Sequence, residues 1–174
     1  SFDIPPSRIL TAFPTYPGNT FLGYFVEDSP ATHSDPETKK ESYGVIWGKD
    51  PNHYKGKAPL LRSLSKLAPL HSTLSLPPPG LRELKNITFH GHLDEARWSR
   101  LLEKASFLLG LGNPLLGPSA VDAVARGCVY IDPAYPEPVN KVYTSQHPYL
   151  TDSVGEPYVC SSILDDPESN RRCV

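Results

Sequence analysis

The chain has 174 residues, 39% hydrophobic and 21% charged, which suits one domain with a real core. A net charge of −2 supplies no basic field for nucleic acid or for an anionic membrane surface. No run approaches the ~20 apolar residues that cross a bilayer, and the three cysteines lack metal-ligand spacing.

Residues 1–20 are rich in Pro, Ser and Thr and read as an irregular lead-in. Residues 21–26 are apolar and aromatic, as a strand is. Residues 28–42 form a polar loop whose charges read as solvated. Residues 43–47 are the next strand, and Gly48, Lys49 and Asp50 turn at its carboxyl edge. Open α/β sheets bind ligands at that edge, so Lys49 is either a solvated lysine or a ligand contact. Residues 57–70 read as an amphipathic helix with Leu60, Leu61, Leu64 and Leu67 as its core stripe. Residues 74–76 suggest a short strand, 77–80 a rigid proline loop, and 87–90 a strand turned by Gly91. Asn86-Ile87-Thr88 is an N-glycosylation sequon. Residues 94–105 read as a helix, with Asp94 and Glu95 in the first turn, where the helix dipole favours acids. Its apolar face is Trp98, Leu101, Leu102 and Ala105.

Residues 106–133, SFLLGLGNPLLGPSAVDAVARGCVYIDP, organise the rest. Phe107-Leu108-Leu109 is a strand buried on both faces. Gly110, Gly112, Asn113 and Pro114 break regularity, and Gly117-Pro118 opens a helix. Val121, Val124 and Ala125 form the apolar face of that helix, and Gly127 ends it. Cys128–Ile131 is a second apolar strand, with Cys128 as a small buried hydrophobe, and Asp132-Pro133 stops it. Strand, glycine-rich turn and helix N-terminus together can hold an anion, because the first-turn amides have no partner within the helix. An ordinary strand–helix corner with no ligand fits the same spacing. Beyond Pro133 the chain reads as irregular through Pro138. Residues 144–149 read as a turn or short helix, 158–160 as a last strand, and 167–174 as a polar tail. Cys160 and Cys173 flank a polar loop and are free to pair in an oxidising compartment.

Alternating strands and helices predict an α/β fold, a Rossmann-like parallel sheet with helices on both faces. Residues 21–166 are the expected Rossmann-like domain, 1–20 the lead-in and 167–174 the tail.

Four stretches occur in one order along the chain: GNTFLG at 18–23, WGK at 47–49, GLGNPLLGPSAVDAVARGCVYIDP at 110–133 and TSQHPY at 144–149. In these the chain resembles the N-acetylglucosaminyltransferase V family, the alpha-1,6-mannosylglycoprotein 6-beta-N-acetylglucosaminyltransferases. The resemblance implies the C-terminal, donor-binding half of a GT-B glycosyltransferase. It further implies UDP-GlcNAc as donor, no metal or other cofactor, and an N-glycan acceptor glycoprotein. A Golgi-lumenal setting follows, with the membrane anchor and the N-terminal catalytic domain outside this chain. The donor set it implies is Gly48, Lys49, Gly110, Gly112, Gly117, Pro118, Ser119, Ala120 and Asp122, with Asp122 as acceptor for ribose hydroxyls. An i, i+4 ion pair of Asp122 with Arg126 is the plain structural alternative. No metal ligand and no catalytic residue are assigned, since the family's base belongs to the other domain. Leu116 stands where the family has an acid, and Lys141 matches a donor-contacting lysine only loosely. These departures leave open a second reading, a degenerate binding or structural module of the same fold. A nicotinamide enzyme fits poorly, because GLGNPLLG does not space its glycines as GxGxxG.

Overall fold

The structure is a computed structural model that describes residues 39–174 and, ahead of them, Leu10, Thr11, Thr20, Phe21, Gly23 and Val26. Within the expected lead-in, β1 (Leu10–Thr11) pairs in parallel with β2 (Thr20–Phe21). Of the strand expected over 21–26, Phe21 is extended in β2 and Gly23 and Val26 are not; the other three residues lie outside the described set. So does most of the 28–42 loop.

The main sheet is built from β3 (Glu41–Trp47), β4 (Leu70–Ser72), β5 (Ile87–Phe89), β6 (Ala105–Gly110), β7 (Val129–Val139) and β9 (Val159–Ser162). All pair in parallel, in the spatial order β5-β4-β3-β6-β7-β9. Counted along the main sheet, that is third, second, first, fourth, fifth, sixth, the doubly wound order of a Rossmann fold. A short β8 (Tyr143–Ser145) runs antiparallel to the far half of β7.

Period-two alternation splits the core. Ile46, Phe107, Leu109 and Ile131 point to one face, where Leu60, Leu61 and Leu64 of α1 (Ala58–Leu64) meet them. Val45, Leu108 and Tyr130 point to the other. There they pack on α2 (Glu95–Lys104), α3 (Pro118–Ala125) and α4 (Pro148–Ser153) through Leu102, Ala120, Ala123 and Leu150.

Several sequence expectations are corrected. The helix expected over 57–70 is only seven residues long. Pro69 disfavours a helical Ala68, and Leu70 and Ser72 are needed as buried residues of β4. Leu67 therefore leaves the core stripe and is 51% exposed. Residues 74–76 are not a strand; Leu74 is buried in a loop and Leu76 faces solvent. Asp132-Pro133 does not stop β7, which continues to Val139 because it changes partners: β9 through Pro133, then β8 from Ala134. The hairpin turn that follows uses Asn140 and Lys141 at positive φ, 50° and 60°. The expected polar tail folds into α5 (Pro167–Arg172), and Cys173 forms a disulfide with Cys160 across a Cα separation of 5.7 Å. Lys40 is not a solvated loop charge: its ammonium donates to the Leu102 carbonyl (3.2 Å) and the Arg126 carbonyl (2.6 Å), at the ends of α2 and α3.

Candidate functional site

After β3 the chain moves outward to β4 and β5, then crosses back to β6. The strand order reverses between β3 and β6, and the crevice outside their carboxyl ends is where such sheets take ligands. A cleft of about 570 Å³ opens there. Lys49 enters it from the end of β3, Thr73 and Ser75 from β4, and His92 and Leu93 from beyond β5. Trp98 of α2 and Pro118, Ser119 and Asp122 of α3 close the opposite wall.

Of the nine residues that the resemblance picks out, four thus share one cleft: Lys49, Pro118, Ser119 and Asp122. The other five take packing positions. Gly117, the N-cap of α3, lies against the Trp47 indole, and a Cβ there would enter the ring. Gly110 is covered by Pro133 and the Gln146 side chain. The Gly48 carbonyl accepts from the Tyr54 hydroxyl at 3.1 Å. Ala120 is fully buried in the core, and its N–H reaches back to the Gly117 carbonyl at 3.4 Å. Gly112 lies in a second cleft, of about 420 Å³, with Leu111, Asn113 and Tyr135. Its N–H donates to Gln146 Oε1 at 2.8 Å and its carbonyl accepts from the Tyr135 hydroxyl at 2.6 Å. Both of its backbone groups are therefore engaged by the protein.

The first cleft brings a helix N-terminus and a lysine together with the Asp122 carboxylate. No side chain caps α3, and the amides of its first turn carry the positive end of the helix. Lys49 adds a full charge. One turn in, Asp122 meets Arg126 Nη1 at 3.7 Å, so the ion pair foreseen as the plain alternative does form. Arg126, almost wholly buried, is itself held by Ser99 Oγ at 3.0 Å. The pair leaves the Asp122 side chain 20% exposed, along the cleft wall. Leu116 is half-buried at φ 53°, its N–H bound to the Gln146 carbonyl at 3.0 Å. Lys141 sits in the β7–β8 hairpin turn. Among the described residues no three His, Cys, Asp or Glu side chains converge to hold a metal.

Residue-level reasoning missed what braces this corner. Gln146 is fully buried and spans the glycine loop, accepting from Gly112 N–H and donating to the Pro114 carbonyl at 2.9 Å. Beside it, buried Asp132 accepts from His147 N–H (3.0 Å), the Thr151 hydroxyl (2.6 Å) and the Tyr130 hydroxyl (3.1 Å). Burial lifts the Asp132 carboxyl above its ordinary range, against the pull of these hydrogen bonds. The one sequence signal was the TSQHPY stretch, which contains both Gln146 and His147.

The family model for glycosyltransferase family 18 matches residues 1–174. The chain belongs to that family. Its curated relatives include alpha-1,6-mannosylglycoprotein 6-beta-N-acetylglucosaminyltransferase B of Mus musculus, 28% identical over 91% of this chain and 22% of the relative. The A enzyme of Homo sapiens is also 28% identical, over 96% of this chain and 25% of the relative. This family 18 chain thus spans about a quarter of the length of the relatives it matches. Among solved structures, Escherichia coli heptosyltransferase WaaC with ADP is similar at a TM-score of 0.46 and 10% identity, covering 85% of this chain and 48% of that one.

Proposed function

We propose that this family 18 chain is the donor-binding part of an inverting, metal-independent glycosyltransferase that takes UDP-GlcNAc. The supporting observation is the convergence of Lys49, Ser119 and Asp122 in one cleft at the sheet's reversal point. The diphosphate rests on the first turn of α3 with Lys49 beside it, which stabilises the departing UDP without a cation. Asp122, oriented by Arg126, accepts from the ribose hydroxyls. Leu93 and Trp98 supply the apolar wall for the uracil. The names of the relatives suggest a mannosylglycoprotein acceptor; with the family resemblance this reads as the α1,6-mannose arm of an N-glycan, to which a β1,6-linked GlcNAc is added in the Golgi lumen. The carboxylate base comes from a separate N-terminal domain, and with it the other wall of the acceptor cleft.

Titration calorimetry tests the donor reading. UDP and UDP-GlcNAc should bind without added metal, and UDP more tightly than ADP. Equal binding of ADP and UDP, or a strict need for manganese, overturns it. A second reading, a module that binds or only scaffolds and does not turn over, is favoured by the apolar Leu116 at the end of the glycine loop.

A further inference from the structure

We infer that Asn86 is a site of N-linked glycosylation, placed at the end of the sheet away from the donor cleft. Asn86-Ile87-Thr88 is the only sequon in the 174-residue sequence. It spans the entry into β5, the edge strand of the main sheet. Asn86 and Thr88 are both exposed, while Ile87 between them is buried. The two sequon side chains that a transferase must read therefore face solvent, and the middle residue anchors the strand.

The hydrogen bonding of Asn86 is compatible with the modification. Its Nδ2 donates to the Ser65 carbonyl at 2.6 Å, at the C-cap of α1. A primary amide carries two N–H donors. Glycosylation uses one: the amide nitrogen forms a bond to C1 of the sugar, the C1–oxygen bond of a lipid diphosphate-linked oligosaccharide breaks, and the lipid diphosphate leaves as the amide loses a proton. The second N–H remains and keeps the Ser65 bond. The cap on α1 and the sugar thus coexist on one nitrogen.

The Cys160–Cys173 disulfide supplies an independent line of support. Disulfides of this kind form and persist in the oxidising compartments where N-glycans are attached. The position also has a use. Among the described residues β5 pairs with β4 alone, and natural proteins protect such sheet edges from edge-to-edge association. A glycan at the amino end of β5 shields that edge. Ligands of this fold enter at the carboxyl ends of the strands, so the sugar leaves the cleft open.

The test is secretion of the full chain from eukaryotic cells, followed by treatment with an amidase that cleaves N-glycans. The wild-type chain should migrate as one glycoform, collapse on treatment, and show Asn86 converted to aspartate by peptide mapping. Thr88→Ser should keep the glycan. Thr88→Ala should lose it while retaining the Asn86–Ser65 bond, so the variant stays folded, binds UDP like the wild type, and associates more at high concentration. Asn86→Gln loses sugar and cap together and separates the two roles. A secreted wild-type chain with its disulfide formed but unchanged by the amidase overturns the assignment. So does a modification that survives Thr88→Ala.

Discussion

Asp122 carries the most direct single-residue consequence. It lines the cleft and pairs with Arg126, whereas Asp50 only caps the short turn at Pro51–Tyr54 by accepting from Asn52 N–H at 2.8 Å. Asp122→Ala should weaken UDP binding about tenfold, the worth of a charge-assisted hydrogen bond. Asp50→Ala should leave UDP binding unchanged and cost about 1 kcal/mol of stability through the lost cap. Calorimetry on both variants checks this, and equal losses of affinity would assign Asp122 to the ion pair alone. His147 has a different signature. Burial pushes its imidazole down from 6.5 to about 4. Between those values the unfolded chain binds a proton that the folded chain refuses, so stability falls as pH drops through that window and is level above it. At about pH 5 the cost is about 2 kcal/mol. Asp132 works the other way, its raised carboxyl favouring the folded state as pH falls toward the ordinary carboxylate range. In His147→Asn the asparagine still caps α4, replacing the ring nitrogen that accepts from Leu150 N–H. Urea midpoints at neutral and mildly acidic pH should differ less in this variant than in the wild type.

At the scale of elements, the loop from β6 to α3 does not hold itself. Asn113 is its one polar side chain and is exposed, so its backbone is held instead by Gln146, between β8 and α4. Gln146→Ala would leave the Gly112 N–H unpaired in a buried place and take a partner from the Pro114 carbonyl nearer the surface, at about 1–3 kcal/mol. The loop would loosen, and the first turn of α3 with it. We expect both a lower melting temperature and a UDP affinity reduced further than by Asp50→Ala, although Gln146 does not line the cleft. A stability loss with unchanged UDP affinity would show that the brace and the cleft are independent. Lys40 plays a similar part at the other end of α2 and α3, where its one ammonium meets carbonyls of both helices and ties them together.

At the scale of the whole molecule, the proposed function gives this chain the donor side of a transfer reaction. Among the described residues the carboxylates that line the cleft, Asp122 and Glu95, lie on α3 and α2. An inverting transfer also needs a base on the acceptor hydroxyl, and its absence costs ~10²–10⁴ in rate. Losing the positioning of two reactants costs more. Purified chain with UDP-GlcNAc and excess biantennary acceptor should therefore transfer no GlcNAc above background in a radiolabel assay. Robust acceptor-dependent transfer would place a working base within residues 1–174. Addition in trans of the proposed N-terminal domain separates the two functional readings: restored turnover supports the enzyme, and continued silence supports the binding module.

What the sequence determined by itself was local and periodic. The apolar runs at Val45-Ile46-Trp47 and Phe107-Leu108-Leu109 announced buried strands. Gly117-Pro118 marked the start of α3, and Asp94 and Glu95 marked that of α2, where Asp94 is the N-cap and not a first-turn residue, since each signal lies within a few residues of its effect. The family was legible from four short stretches in order, and the Cys160–Cys173 pairing was one open possibility among them. Tertiary structure decided what depended on distant partners. A leucine-rich run could not reveal that Leu70 would leave the helix for a place between β3 and β5. No local pattern says that β7 outlasts Pro133, because β9 and β8 complete its hydrogen bonds in turn. The glycines of the loop read as ligand contacts; only the folded chain shows that Pro133 and Gln146 also crowd Gly110, that Trp47 crowds Gly117, and that Gly112 holds a φ of 91°. Hydrogen-bonding partners 34 residues apart, such as Gly112 and Gln146, leave no mark on either segment until the sheet brings them together.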